Sequence, residues 1–198
     1  LPWSAPADLH TQLTPRQYGA IAPMWAPNAS AQFVMLRRVV PRAALAGHIF
    51  LAISANPSPA WNLPHGRNTS HLLCGYKLWV NEVPLGVGPG RKVGGSVAVD
   101  TYNLTALVLD GQNTIAIEAY YQQQPAAAAP RDPNDRGGVV VFIHDSTGAP
   151  VAADTSGWSA FDATAAFSPG LGPDGHGLGT GSYFQPTENI DMRLYPAG

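Results

Sequence analysis

Cysteine is nearly absent from the sequence, and this scarcity excludes cross-links within the chain. Cys74 is the single cysteine among the 198 residues, so no intrachain disulfide can form. A nucleophilic role for Cys74 would need an activating histidine, and His71 is the one close to it in sequence. We therefore interpret Cys74 as a small, buried apolar residue.

Charged residues and long apolar runs are also scarce. Lys, Arg, Asp and Glu make up 12% of the chain and the formal net charge is -2, which argues against electrostatic binding of nucleic acid or an anionic membrane. No uninterrupted apolar run reaches about 18 residues, so no membrane-spanning helix is predicted. Glu82, Glu118 and Glu188 are the only glutamates, which limits the carboxylate pairs that glycoside hydrolysis requires.

Glycine and proline are abundant, with 21 and 19 residues respectively. Turn-forming residues at this density favour many short strands over long helices. Between the turns, β-branched and aromatic residues concentrate in the segments 32–40, 48–55, 75–81, 114–121 and 138–144. The pattern predicts an all-β fold, an antiparallel β-sandwich of the jelly-roll, galactose-binding-like type.

Several local features of this sandwich can be predicted. The largely apolar run at 48–55 indicates a strand that is buried on both faces. Residues 81–82 and 110–113 have the composition of turns. Residues 86–91 are predicted to form a loop, and residues 100–107 a turn followed by a short helix-like step.

The chain is predicted to contain one domain. Residues 1–30 are interpreted as an extended N-terminal lead-in that packs on the core, and residues 31–198 as a single β-sandwich module. Three long segments within the module, rich in proline or glycine or of low complexity, are predicted loops: 56–72, 122–136 and 168–181.

Three features indicate an extracellular protein. The start Leu1-Pro2 resembles a processed mature end, and lysine occurs only twice. Asn28, Asn68 and Asn103 each begin an Asn-x-Ser/Thr sequon, the acceptor pattern for N-glycosylation. We expect a secreted glycoprotein.

Aromatic side chains suggest where a sugar could bind, because the apolar side of a sugar ring stacks on an aromatic face while polar groups bind its hydroxyls. Glu118 and Tyr120 share one face of a predicted strand, so they could act as a pair. The alternative is that these aromatics fill the core or a domain interface, which we expect for Trp79 and Trp158. The sugar-binding candidates of this kind are Trp61, Glu118, Tyr120, Tyr121 and Tyr183.

Two clusters of polar residues are further candidates. Glu188, Asp191 and Arg193 could bind sugar or calcium if they converge in a turn, although the interpretation that we favour is a local hydrogen-bonded or salt-bridged turn. Asp132, Asn134 and Asp135 loosely resemble an oxygen-rich calcium loop, with a solvated loop as the alternative. Calcium is therefore the one cofactor considered. The six histidines are too scattered for a zinc motif.

An ordered set of short motifs resembles a known module. It begins at Ile53-Ser54-Ala55 and passes through Tyr76-x-Leu78-x-Val80-Asn81, Gly88-Pro89 and 110–118 to Asp154-x-x-x-Trp158 and Glu188-x-x-Asp191-x-Arg193. The set is similar to the N-terminal β-sandwich domain of bacterial-type α-L-rhamnosidases and their secreted fungal relatives, over about residues 31–195. The sequence departs from the pattern at the insertion 56–72 and at Glu82, where the family usually has glycine.

The resemblance implies a noncatalytic carbohydrate-binding or accessory module of a secreted α-L-rhamnosidase-like glycoside hydrolase, which would recognise rhamnose-bearing or related glycans. In that family a separate C-terminal helical barrel performs catalysis, so no turnover is expected from this chain alone. The resemblance also implies that calcium accompanies the sugar in some related modules. Two alternatives are a structural module that packs against a catalytic domain and a small independent lectin.

Overall fold

The computed structural model describes residues 24–27, 31, 33–45, 47–56, 74–89, 99–121, 138–151, 156–167 and 193. Nearly all of its regular structure is β-strand, with one 3₁₀ turn at Arg42–Ala44 and one helical turn, α1, at Thr164–Phe167. The strands are β1 (Phe33–Pro41), β2 (Ile49–Asn56), β3 (Cys74–Val80), β4 (Val83–Gly88), β5 (Asp100–Asn103), β6 (Gln112–Tyr121), β7 (Gly138–Asp145) and β8 (Trp158–Asp162).

The strands form two antiparallel sheets. One has five strands in the order β4-β3-β6-β1-β8, and the other has three in the order β5-β2-β7. Apart from the β3–β4 hairpin, every connection between consecutive strands passes from one sheet to the other. The predicted antiparallel β-sandwich is therefore confirmed.

The core lies between the two sheets and follows the alternation of side chains along each strand. Leu36, Leu78 and Ile117 of the larger sheet and Leu51 and Ile143 of the smaller one are all 1% exposed or less. They belong to one apolar cluster. Their neighbours in sequence must therefore point to the two outward faces of the sandwich.

In the smaller sheet, β2 and β7 are buried on both faces, as the apolar run at 48–55 predicted for β2. On its outward face Phe50, Ser54 and Phe142 are also nearly inaccessible. His144 stacks between the rings of Phe50 and Phe142, with ring centroids 5.5 Å from each. The larger sheet differs, because its outward face is partly exposed.

The β3–β4 hairpin confirms the turn predicted at residues 81–82. Asn81 and Glu82 have φ angles of 49° and 67°, the left-handed pair that a two-residue hairpin of the right twist requires. Asn81 tolerates this conformation well, and Glu82 adopts it where glycine was expected. The turn places Lys77 and Trp79 on a strand of defined register.

Two local predictions were wrong because glycines and polar residues concealed strands. Residues 86–88 extend β4 and do not form a loop. Glycine is needed within this strand because a Cβ at Gly86 would collide with the Tyr102 hydroxyl, and one at Gly88 with the Asp100 carboxylate, of the facing sheet. Asp100–Asn103 is β5, and the turn comes only after it. Trp158–Asp162 forms β8, which pairs with β1.

Part of the segment before residue 31 contacts the sandwich. Met24 pairs with Val139 of β7 through two backbone hydrogen bonds of 2.8 and 3.0 Å. Met24 and Ala26 are buried, and the Trp25 indole N–H donates to the carbonyl of Ala31. Within the described ranges, no helix has the length and apolar character needed to cross a membrane.

Candidate functional site

The outward face of the five-stranded sheet carries a compact group of polar, aromatic and aliphatic side chains. Its central strands β3, β6 and β1 are antiparallel neighbours, and the residues facing the core alternate with those facing outward. Two adjacent rows of three outward positions form what we call the outer-face grid. The first row is Lys77, Glu118 and Met35, and the second is Trp79, Ala116 and Arg37.

The first row of the grid contains an ion pair. Lys77 Nζ lies 2.9 Å from Glu118 Oε1, and the Glu118 side chain is only 6% exposed against 33% for Lys77. A carboxylate buried to this extent needs a compensating partner, because removing it from water is costly. Glu118 is therefore held in the middle of the face, where Lys77 neutralises it.

Trp79 lies on this outward face and is partly exposed, so the expectation that it belongs to the core is wrong. Trp158, by contrast, packs against the inter-sheet core. Within the described part of the chain, no hydrogen bond of the Trp79 indole N–H is found, whereas Trp25 donates to a carbonyl. The signal was in the sequence, because Trp79 alternates with Leu78 and Val80 and so shares the face of Lys77.

Ala116 separates Trp79 from Arg37 in the second row. Adjacent strands lie about 4.8 Å apart, so the Cα atoms of Trp79 and Arg37 are about 10 Å apart with a methyl side chain between them. Arg37 is exposed, and no ion pair or hydrogen bond of its side chain is found among the described residues. The register thus places the small Ala116 side chain between two longer ones, and we call the gap above Ala116, between Trp79 and Arg37, the cleft.

Tyr120 continues the same face at one end of the grid. Its ring lies over Gly75 of β3, where a Cβ would collide with it, and its centroid is 6.2 Å from that of Phe33. Tyr120 and Phe33 belong to a small apolar cluster that includes Ala163 and Ala166 beside α1. The structure thus places Glu118 and Tyr120 on one face, and Tyr120 also contributes to packing.

Exposed apolar side chains flank the first row at both edges of the sheet. Val87 of β4 is opposite Lys77 and is 75% exposed, and Phe161 of β8 is opposite Met35 and is 48% exposed. Four strand spacings separate them, which is about 19 Å. The outward face therefore offers a wide surface with polar groups at its centre and apolar groups at its rim.

A second polar cluster joins the two sheets. The fully buried Tyr76 donates a hydrogen bond of 2.5 Å to Asp100 Oδ2, and its hydroxyl lies 3.2 Å from that of Tyr102. Burial, and then the hydrogen bond to Asp100, raise the pKa of Tyr76 far above its ordinary value. Tyr76 thus stays protonated. It is the first residue of the motif Tyr76-x-Leu78-x-Val80-Asn81, and here its hydroxyl links the two sheets.

The remaining predicted site residues are not brought together within the described ranges. Tyr121 ends β6, and Arg193 is exposed. Asn103 is exposed at the end of β5, and its Oδ1 accepts the Thr105 backbone N–H at 3.0 Å. The described residues contain no group of three or more His, Cys, Asp or Glu side chains suited to a metal ion. Several candidates lie outside the described residues: Trp61, Tyr183, Glu188, Asp191, Asp132, Asn134, Asp135, Asn28 and Asn68.

No protein-family model matches the sequence, and no curated protein matches it. Among solved structures, this chain is similar to a GH78 family rhamnosidase of Bacillus sp. GL1, with 23% sequence identity, a TM-score of 0.45 and 66% of this chain covered. It is similar to a Streptomyces avermitilis α-L-rhamnosidase complexed with L-rhamnose (18% identity, TM-score 0.45, 80% covered) and to one from Aspergillus terreus (18%, 0.45, 76%). The matches span only 12%, 13% and 17% of those three chains.

Proposed function

We propose that this chain is a noncatalytic carbohydrate-binding accessory module of a secreted α-L-rhamnosidase-like glycoside hydrolase, and that the outer-face grid is its ligand site. The observation that carries the proposal is the partly exposed Trp79 beside the Lys77–Glu118 ion pair on an ordered sheet face. A rigid sheet holds such groups more accurately than a loop does.

The chemistry of the grid suits a sugar. The indole face of Trp79 can stack on the apolar side of a pyranose ring, and its N–H can donate to a hydroxyl. Lys77 can donate further hydrogen bonds, and Glu118 can accept them. The class of sugar, rhamnose-bearing glycans, is inferred from the ordered motifs between Ile53 and Arg193.

The same face supports the noncatalytic part of the proposal. Hydrolysis of a glycosidic bond ordinarily uses two carboxyl groups that face each other across the substrate. Glu118 is the only carboxylate among the six grid residues, and Lys77 neutralises it. A group in this state is suited to hydrogen bonding with hydroxyls, and no second carboxyl of the grid stands opposite it.

Isothermal titration with L-rhamnose and rhamnose-bearing oligosaccharides tests the proposal. We expect Trp79→Ala to weaken binding about five- to thirtyfold, since stacking on one aromatic ring contributes about 1–2 kcal/mol. Leu109→Ala is the matched control, because Leu109 is also an exposed apolar residue, at 55%, but lies in the turn before β6. Equal sugar affinities of Trp79→Ala and Leu109→Ala, or no binding of any sugar by the wild type, would contradict the proposal.

A second candidate function is a structural module that packs against a catalytic domain. The exposed Val39, Val87 and Phe161 on the outward face favour it, since apolar patches commonly mark contact surfaces. The same titration separates the two functions, because a purely structural module would bind none of the sugars. The intact mass of the native gene product would then distinguish an accessory module from a small independent lectin.

A further inference from the structure

The charges of the outer-face grid do not cancel, and the excess is positive. Lys77 and Arg37 are its two cations, while Glu118 is its one anion. Lys77 is engaged with Glu118 at 2.9 Å, which leaves the Arg37 guanidinium without an ion-pair partner among the described residues. A guanidinium presents a planar fork of N–H donors that matches a carboxylate in a two-point hydrogen bond.

Arg37 is also positioned to act together with Trp79. The two residues are the sides of the cleft above Ala116, with their Cα atoms about 10 Å apart. A pyranose ring is about 5 Å across, so a ring stacked on the indole would direct its substituents towards the guanidinium. Ser159, the neighbour of Arg37 on β8, is exposed and adds a hydroxyl at the far side.

We propose that the cleft between Trp79 and Arg37 binds an acidic sugar, with the uronic-acid carboxylate on Arg37 and the ring on Trp79. The inference rests on the proposed function, since it names the ligand of the same face. The net positive charge of the outer-face grid supports the inference. A neutral glycan would leave the Arg37 guanidinium without a counter-charge, whereas a uronate carboxylate would neutralise this guanidinium. The ligand is thus a glycan that contains both L-rhamnose and a uronic acid.

The test compares an oligosaccharide of alternating L-rhamnose and uronic acid with its carboxyl-reduced, neutral counterpart. We expect the wild-type chain to bind the acidic form about tenfold or more tightly, because a charge-assisted hydrogen bond is being added. Arg37→Gln should remove this preference, so that the acidic and neutral forms bind with similar affinity. Arg37→Lys should keep part of the preference, since it retains the charge but not the fork.

Two further measurements sharpen the test. Raising the salt concentration from about 0.05 M to 0.5 M should reduce the preference for the acidic form in the wild type, because an exposed pair is screened. The melting temperature of Arg37→Gln should match that of the wild type, since Arg37 is exposed. The unchanged melting temperature is the control for an intact fold.

The outcomes distinguish this inference from the function on which it rests. Equal affinity for both oligosaccharides, with dependence on Trp79 retained, would overturn the acidic-sugar inference and leave the carbohydrate-binding function standing. A preference for the acidic form that survives Arg37→Gln would also overturn it. Binding of neither form would overturn both, and would leave the outward face as a contact surface for another protein domain.

Discussion

At the scale of single residues, Asn81 and Asn113 join one end of the larger sheet to the turn that precedes β6. The Asn81 amide donates to the Leu107 carbonyl and to Asn113 Oδ1, both at 2.8 Å. Asn113, which is 1% exposed, also accepts from the Leu109 N–H at 2.7 Å and donates to the Leu109 carbonyl at 3.0 Å. These amides satisfy backbone groups that the sheet leaves unpaired.

We expect Asn113→Ala to lower the free energy of unfolding by about 2–4 kcal/mol, because it removes three hydrogen bonds and leaves the backbone N–H and carbonyl of Leu109 without this partner. Urea denaturation followed by tryptophan fluorescence measures the change. The adjacent, exposed Gln112→Ala is the control and should stay within about 0.5 kcal/mol of the wild type. Similar denaturation midpoints for the two variants would show that the amide network contributes little.

At the scale of elements, β7 ends in a turn organised by one carboxylate. Asp145 Oδ1 accepts the Thr147 backbone N–H at 2.8 Å, the Thr147 hydroxyl at 2.6 Å and the Ala149 N–H at 3.0 Å. These bonds are stronger with the ionised carboxyl than with the protonated one, so they lower the pKa of Asp145, with the Thr147 hydroxyl as the largest cause. Asp, Ser, Thr and Gly at residues 145–148 are residue types that such turns favour.

We expect Thr147→Val to raise the pKa of Asp145 towards its ordinary value, because the hydroxyl donor is lost while the two backbone donors remain. Since folding lowers this pKa, the turn is stabilised above the ordinary pKa of about 4 and loses that stabilisation as the pH falls through the folded value. A ¹³C NMR titration of the Asp145 carboxyl between about pH 2 and 6 measures the shift. Thr101→Val is the control, because Thr101 is exposed on β5, and it should leave the Asp145 titration unchanged. An Asp145 titration identical in wild type and Thr147→Val would contradict the role of the Thr147 hydroxyl in lowering the pKa.

At the scale of the whole molecule, the two sheets are joined by an apolar core and by a buried polar contact. Tyr76 of β3 belongs to the larger sheet and Asp100 of β5 to the smaller one, and their hydrogen bond crosses the interface between them. Gly86 and Gly88 allow β4 to approach this contact closely. The contact holds the two sheets in one relative position, whereas apolar packing alone is non-directional.

We expect Tyr76→Phe to lower the free energy of unfolding at pH 7 by about 1–3 kcal/mol, because a buried hydrogen bond to a carboxylate is lost. The pKa of Tyr76 is raised on folding, so its contribution is complete below about pH 10, where the unfolded tyrosine ionises, and declines as the pH rises further. The difference between wild type and variant should therefore narrow above pH 10 in urea titrations. A difference independent of pH, or none at pH 7, would refute this role.

The local elements followed from the sequence alone. Alternation and turn chemistry act over a few residues, so they predicted the main strands, the burial of β2 on both faces and the hairpin at residues 81–82. They also placed Glu118 and Tyr120 on one face. These features depend on backbone sterics and on the apolar character of residues near in sequence. Both can be read from the sequence without knowledge of the partner strands.

The site itself was decided by the tertiary structure. Arg37, Trp79 and Ala116 lie far apart in the sequence, and only the register of β1 and β3 on β6 brings them into one row. Register is a property of paired strands, and the slip of one residue would turn every outward side chain inward. For the same reason Trp79 could be mistaken for a core residue, and the lack of an ion-pair partner for Arg37 among the described residues became visible only when its neighbours on the sheet were known.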